Sequence, residues 1–196
     1  MTDKIVFVDV DTQKDFMNEG WALYVPEAET IKSNLKEITE IAKASNGDIL
    51  KTMDTHNSDS EEFTDNGGIF PEHCLQDSHG WLSIEETSFG ESLIFEKDCY
   101  DVFDLDRGNL EFIDYINILS RFDSLAIVYG VATDYCVKAA VLGLRKRCIN
   151  VVVLSDCIMG VEEMTTSKAI KEMIDVGAWI WDLKFINKVF PRGISV

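Results

Sequence analysis

The segment SLAIVYGVATDYCVKAA, residues 124–140, decides the fold because it joins an apolar run to a helix-forming run through a short polar turn. Residues 124–129 predict a buried strand, and the alanines and leucines after the turn predict a helix capped by Thr133 or Asp134. This places Cys136 in the first helical turn, where unpaired backbone N–H groups and the helix dipole favour a thiolate. The alternative is a buried, inert thiol, because most free cysteines only fill space.

The same alternation of strand and helix recurs along the chain. Short β-branched or aromatic runs predict strands at residues 5–10, 49–53, 92–95, 124–129, 150–154 and 178–181. Helical patterns lie between most of them, at residues 28–44, 110–119, 135–147 and 164–176. This alternation is typical of a mostly parallel sheet with helices on both faces, so the predicted fold is a three-layer, Rossmann-like α/β domain.

Composition predicts one globular domain over residues 1–196, with 46% hydrophobic and 27% charged residues. A formal net charge of −17 disfavours binding to nucleic acid and to anionic membrane surfaces. No apolar run approaches the ~20 residues that a membrane span needs. Five cysteines without CxxC spacing, and an N-terminus without a signal-peptide pattern, predict a reducing, cytoplasmic compartment. The sequence leaves open whether the chain forms a homo-oligomer.

Reactive side chains stand at the ends of three predicted strands. Asp11 follows the first strand, Lys97 follows the third, and Cys136 follows the fourth. In parallel sheets the reactive groups gather at the carboxyl edge, so these three predict a nucleophile with a general base and a charge-stabilising lysine. Taken singly, Asp11 is also a good turn former and Lys97 a typical surface group, and these alternatives stay open.

The second predicted strand leads into a long irregular segment, at about residues 54–90, and such segments inside a compact domain usually carry function. The segment offers four candidate metal ligands, which are Asp54, His56, Glu62 and His73. Imidazole and carboxylate ligands suit Zn, Fe or Mn, and the lack of a thiolate set argues against a closed structural zinc site. The alternative is a polar loop whose histidines face water.

Five motifs occur in the order VDVDTQKDF, MDTHNSDSEEF, IFPEHC, FEKDCYDVF and GVATDYCVKAAVLGL. Together they resemble the successive motifs of the isochorismatase-like cysteine hydrolases, and within that superfamily they are most similar to those of the nicotinamidases. The similarity runs from the first strand to near Trp181. It implies a six-stranded parallel sheet, a catalytic triad of Asp11, Lys97 and Cys136, and metal ligation by the four candidate ligands above. The expected ion is divalent, with zinc as the first candidate and Fe or Mn as alternatives.

The resemblance also implies a substrate pocket and an oxyanion hole. The oxyanion hole falls on the backbone N–H groups of Ala132 and Cys136, beside a cis peptide between Val131 and Ala132. The pocket wall falls on Phe16, Phe70, Tyr100, Phe103 and Tyr135. Two positions depart from the common pattern, since many nicotinamidases have Trp where this chain has Phe70, and His where it has Tyr135.

The predicted function is therefore that of a nicotinamidase, which hydrolyses nicotinamide to nicotinate and ammonia through a cysteine thioester. The metal is expected to bind the ring nitrogen of this small-molecule substrate. The runner-up is a related cysteine amidohydrolase that acts on a carbamoyl or ureido compound. A third hypothesis is a non-catalytic thiol redox or binding protein, in which Cys99 serves as the resolving thiol.

Overall fold

The computed structural model describes residues 4–45, 47–88, 90 and 92–189. Within these residues one sheet has the strand order β3-β2-β1-β4-β5-β6, and every neighbouring pair is parallel. The strands are β1 Lys4–Val10, β2 Asp48–Asp54, β3 Leu93–Lys97, β4 Ser124–Val131, β5 Asn150–Met159 and β6 Trp179–Trp181. The predicted α/β fold with a parallel sheet is confirmed.

Helices cover both faces of the sheet. They are α1 Lys14–Met17, α2 Lys32–Ala44, α3 Leu110–Leu119, α4 Lys138–Lys146, α5 Glu163–Asp175 and α6 Leu183–Val189. Side chains of α2 and α6 share one apolar core with Phe7 and Ile127, whereas those of α3, α4 and α5 share the other with Val8 and Val128. Successive strand residues point to opposite faces, so both faces of the central strands are buried. In the described part of the chain, no helix is long and apolar enough to cross a membrane.

Several elements differ from their predicted form. The predicted helix over 28–44 begins as a 3-10 turn, Ala28–Ile31, before α2, and α6 was not predicted because its apolar pattern is short. Strand β5 continues five residues past the predicted end at 154, after an irregular register with β4. The long segment after β2 contains 3-10 turns at Thr64–Asn66 and Glu85–Thr87.

The turn before α4 corrects the predicted helix cap. Residues Thr133–Val137 form a π-helical turn, and its N-cap position is Ala132 rather than Thr133 or Asp134. The Asp134 carboxylate accepts hydrogen bonds from the Val161 N–H at 3.0 Å and from Thr165. Asp134 therefore ties the turn to the start of α5 instead of capping its own helix. Cys136 still lies in the first turn, as predicted.

A buried ion pair joins the neighbouring strands β1 and β2. Lys51 Nζ on β2 lies 2.9 Å from Asp9 Oδ2 on β1, and it donates to Ser83 Oγ at 3.0 Å and to the Thr87 carbonyl at 3.0 Å. Thr12 Oγ1 donates to the other oxygen of Asp9 at 2.8 Å. The pair thus fastens the end of the long segment to the middle of the sheet.

We predict that Lys51→Met destabilises the protein by about 3–5 kcal/mol, because it leaves Asp9 buried without its partner. Burial already raises the pKa of Asp9, and loss of the lysine charge raises it further. The folded variant then takes up a proton as pH falls, so it recovers part of the loss at acid pH. Urea unfolding at neutral and acid pH measures both effects. Lys36→Met on the exposed side of α2 is the control, and an equal loss in both variants would contradict the prediction.

Candidate active site

Asp11, Lys97 and Cys136 meet at the carboxyl edge of the sheet. Lys97 Nζ lies 2.8 Å from Asp11 Oδ2, 3.0 Å from Asp54 Oδ1 and 3.8 Å from Cys136 Sγ. Lys97 ends β3 directly beside Asp54, the last residue of β2, which explains their contact. All four side chains are buried. The structure therefore brings together the three residues that the sequence predicts as a triad.

The turn after β1 sets the position of the Asp11 carboxylate. Asp11 has a φ of 49°, which turns the chain out of the strand, and Thr52 Oγ1 donates to Asp11 Oδ1 at 2.7 Å. The other oxygen pairs with Lys97. Strand β4 passes close to β1 at Gly130. This glycine has a φ of +119°, and a Cβ there would lie 2.0 Å from the Val10 carbonyl oxygen. Only glycine fits this contact between β1 and β4.

The electrostatics of the triad correct one prediction. The sequence predicts a depressed pKa for Cys136, but burial raises the pKa of this thiol well above its usual value. Lys97 opposes the rise, whereas the negative charges of Asp11 and Asp54 add to it. Burial by itself lowers the pKa of Lys97, yet the same two carboxylates raise it well above its usual value. The resting site thus contains a charged lysine and a neutral thiol.

Three of the four predicted metal ligands converge beside the triad. Asp54 Oδ2 lies 3.2 Å from His56 Nε2 and 3.2 Å from His73 Nε2, and one ligand atom from each residue fits within 4.8 Å. All three residues are buried. Lys97 lowers the pKa of Asp54 against the effect of burial, and both histidines add to this. Asp54 therefore links the metal cluster to the triad.

The outer nitrogens of the two histidines explain why this cluster fits a divalent ion. His73 Nδ1 lies 2.8 Å from the Pro71 carbonyl, which can only accept, and His56 Nδ1 lies 3.1 Å from Asp98 Oδ1. Donation from Nδ1 leaves the Nε2 lone pairs directed at the Asp54 carboxylate, and the buried His56 Nε2 has no hydrogen-bond partner among the described residues. Such a set of lone pairs is suited to a cation. The carboxylates also raise the pKa of His56, against the effect of burial.

Glu62, the fourth predicted ligand, lies beside this cluster rather than within it. Its carboxylate contacts the cavity next to Asp54 and His73, and Oε1 lies 3.4 Å from Arg107 Nη2. Burial and the charge of Asp54 raise the pKa of Glu62. The structure therefore brings together Asp54, His56 and His73, and pairs Glu62 with an arginine.

A small cavity of about 120 Å³ opens above the cysteine and the metal cluster. Aromatic rings form much of its wall, and four of the five predicted pocket residues are among them: Phe16, Phe70, Tyr100 and Tyr135. The volume is well below the roughly 300–1,000 Å³ of sites for drug-sized ligands, so the cavity suits a molecule with a single ring.

The position of Phe103 differs from the prediction that it lines the pocket. Its ring packs at 5.2 Å from the Phe112 ring, and Arg147 lies 4.2 Å above it. It belongs to the apolar core under α3 and α4 rather than to the cavity. An aromatic residue six positions after Lys97 gives no sequence signal that separates these two locations.

The backbone around Cys136 has the expected form. The peptide bond between Val131 and Ala132 is cis. The N–H groups of Tyr135 and Val137 both donate to the Ala132 carbonyl at 3.1 Å. The amide of Cys136 lies between these two donors, next to the floor of the cavity.

The structure adds positioning residues that the sequence analysis did not identify: Gln13, Thr52, Ser60, Asp98 and Arg107. The Gln13 side chain donates to the Asp54 carbonyl and accepts from the Asp54 N–H, both at 2.8 Å. Ser60 Oγ lies 3.1 Å from His56 Nδ1. Except for Ser60, which lies four residues after its partner His56, they contact residues of separate segments, so sequence spacing gives no signal for them. The remaining wall residues that were not predicted as site residues are Leu23, Tyr24, Val25, Val131 and Val161.

A family comparison agrees with this architecture. The model of the Isochorismatase domain matches residues 5–184, so the chain belongs to this family. It is 27% identical over 201 residues to a nicotinamidase of Escherichia coli K12, covering 89% of this chain and 92% of that protein.

Two solved structures are similar to this chain in fold. The pyrazinamidase of Pyrococcus horikoshii in complex with zinc is 28% identical, with a TM-score of 0.81 over 92% of this chain and 99% of that one. The N-carbamoylsarcosine amidase of Thermoplasma acidophilum is 21% identical, with a TM-score of 0.72 over 91% and 96%. The latter shows the shared fold alone.

We predict that Asp11→Asn accelerates alkylation of Cys136, because it removes a negative charge that raises the pKa of the thiol and leaves Lys97 to stabilise the thiolate. In the wild-type protein, iodoacetamide near neutral pH should modify the exposed Cys148 before Cys136. Mass spectrometry of the labelled peptides over time measures both rates. Asp114→Asn on the exposed side of α3 is the charge-matched control. Slower labelling of Cys136 in Asp11→Asn would contradict this account.

Proposed function

We propose that the protein is an amidohydrolase for small neutral ring carboxamides, and that nicotinamide is its substrate. The observation that carries the proposal is the meeting of Cys136, Lys97 and Asp11 at the floor of an aromatic cavity that also contacts the Asp54–His73 cluster. The nicotinamidase and pyrazinamidase activities named for its relatives support it. Hydrolysis of nicotinamide would return the pyridine ring to NAD synthesis, and a cytoplasmic location stays a prediction.

The first half of the reaction forms a thioester. Asp11 accepts the Cys136 thiol proton, and the sulfur attacks the carboxamide carbon. Lys97 Nζ, which lies near both reacting groups, stabilises the negative charge that passes between them. The backbone N–H groups of Ala132 and Cys136 are the proposed donors to the oxyanion. Asp11 then returns its proton to the leaving nitrogen, so that ammonia departs and the carboxylate is regenerated.

The second half of the reaction hydrolyses the thioester. A water molecule loses a proton to Asp11 as its oxygen attacks the acyl carbon. The C–S bond then breaks, Asp11 returns this proton to the Cys136 sulfur, and the acid leaves. Asp11 thus performs the same exchange twice. Its neutral state during each half reaction removes one of the two negative charges that raise the Cys136 pKa, and this makes the thiolate accessible.

Asp54, His56 and His73 are the proposed holders of a divalent ion, with Glu62 as a fourth ligand. Zinc is the first candidate because a similar structure contains it, and Fe or Mn also suits these ligands. When bound there, the ion would supply a Lewis acid for the pyridine ring nitrogen of the substrate. Phe16, Phe70, Tyr100 and Tyr135 are the proposed ring-binding residues.

The charge of the cavity separates this proposal from the carbamoyl alternative. Among the described wall residues there is no Arg or Lys, and two carboxylates, Asp54 and Glu62, are present. A carbamoyl amino acid has a carboxylate of its own, and no cationic side chain lines the wall to bind it. A neutral aromatic amide matches the aromatic rings and needs no such side chain.

The redox alternative lacks an activated partner for Cys136. Burial raises the pKa of Cys99 to about 11, and its sulfur lies 3.3 Å from the Asp101 carbonyl. Cys99 is not among the wall residues of the cavity. A thiol with a raised pKa is a slow partner in thiol exchange, so these features favour hydrolysis.

We predict that Cys136→Ala abolishes ammonia release from nicotinamide, because it removes the nucleophile and little packing. Ammonia release by the purified variant, with circular dichroism to verify folding, is the measurement. Cys148→Ala, at an exposed position after α4, is the matched control and should keep wild-type turnover. Retention of more than a few per cent of turnover in Cys136→Ala would exclude the thioester mechanism.

We also predict that His56→Ala loses bound divalent metal and loses nicotinamide turnover, whereas the alkylation rate of Cys136 changes little. The reason is that His56 contacts Asp54 and Asp98, whereas the charges of Asp11 and Lys97 beside the thiol stay unchanged. Elemental analysis and peptide labelling measure the two effects separately. His79→Ala is the control, since His79 lies against Trp21 outside the cluster. Full turnover by a protein that binds no divalent ion would refute the role of the metal.

A further inference from the structure

Arg107 connects two carboxylates of the candidate metal site, and neither the proposed mechanism nor the predicted ligand set uses it. Its Nη2 atom lies 3.0 Å from Asp98 Oδ1 and 3.4 Å from Glu62 Oε1. Nη2 also donates to the Asp98 carbonyl, and the Asp98 N–H donates to the Arg107 carbonyl at 3.0 Å. The arginine is thus anchored on Asp98 and presents its charge to Glu62.

The two sides of this contact differ in strength. On the Asp98 side, backbone and side-chain hydrogen bonds fix the arginine, and Asp98 Oδ1 also faces His56 Nδ1 at 3.1 Å. On the Glu62 side there is a single ion pair at 3.4 Å, between a side chain that is 35% exposed and one that is 13% exposed. Partly exposed pairs of this kind contribute little energy and exchange easily. The Glu62 carboxylate therefore pairs with Arg107 only weakly and can leave it at little cost in free energy.

We propose that Arg107 is a positioning residue of the metal site, which competes with the ion for the Glu62 carboxylate and so sets the affinity of the site. The inference rests on the proposed metal site and extends it. The Glu62 carboxylate cannot pair fully with Arg107 and with the ion at the same time. Coordination of the ion by Glu62 therefore weakens its ion pair with Arg107. The chain would thereby hold its ion less tightly than its four ligands alone would allow, and Asp98 keeps the arginine within reach.

A double-mutant cycle tests the competition without any need for turnover. Zinc affinity is measured by titration in the presence of a competing chelator for the wild type, Arg107→Gln, Glu62→Gln and the double variant. We expect Arg107→Gln to bind zinc about two- to fivefold more tightly, the size of a partly exposed ion pair. In the Glu62→Gln background the same arginine change should have no effect, because the contested carboxylate is gone.

Two controls separate this competition from simpler effects. Arg121→Gln changes the net charge equally, at an exposed position after α3, and should leave zinc affinity unchanged. Arg107→Lys keeps the positive charge beside Glu62, so its zinc affinity should stay closer to that of the wild type than to that of Arg107→Gln. Arg107→Met also removes the charge and serves as the test if Arg107→Gln fails to fold.

The outcomes are distinct. Unchanged or weaker zinc binding in Arg107→Gln overturns the proposal, because the arginine then supports the site instead of competing for it. Tighter binding that persists in the Glu62→Gln background also overturns it, since the effect is then general charge repulsion. Absence of zinc binding in all forms refutes the metal site together with this inference. Failure of nicotinamide hydrolysis with an intact cycle refutes only the proposed reaction.

Discussion

The site depends on the ion pairs that the buried ammonium group of Lys97 makes with two carboxylates. This group lies within 3.0 Å of carboxylate oxygens from two other strands, Asp11 and Asp54, and 3.8 Å from the Cys136 sulfur. Two carboxylates at this depth would repel each other without a cation between them. One lysine thus allows the proposed general base and the proposed metal ligand to stand side by side. The triad and the metal cluster are consequently one electrostatic unit.

The parallel sheet makes this unit possible because neighbouring strands end at the same edge. Asp54 pairs with Lys97 in the β2–β3 register, and Val10, just before Asp11, pairs with Gly130 on β4. The close approach at Gly130 brings the turn that carries Cys136 toward the carboxylates. Below this edge the Asp9–Lys51 pair joins β1 to β2, and Lys51 also holds the end of the long segment through Ser83 and Thr87. The site is therefore built on strand ends, and the segment after β2 adds the two histidines, His56 and His73.

The sequence predicts the strand ends well and the contacts between loops poorly. Asp11, Lys97 and Cys136 each follow a strong strand pattern, so their meeting follows from the parallel topology. The place of Phe103 in a motif predicts a pocket residue, yet its ring packs in the apolar core. The roles of Asp98 and Arg107 depend on distances between separate segments, which no local pattern encodes. The same is true of charge balance, which reversed the expected pKa of Cys136.

The raised pKa of Cys136 has a consequence for the reactivity of the thiol. A thiolate is the reactive form of cysteine toward oxidants and alkylating agents, so a buried neutral thiol is protected while the site rests. In the proposed reaction the proton moves to Asp11, and this removes a negative charge beside the new thiolate. The same proton is then the one that ammonia needs in order to leave. In this proposal, activation of the nucleophile and activation of the leaving group are two steps of one proton transfer, and the raised pKa of Cys136 couples them.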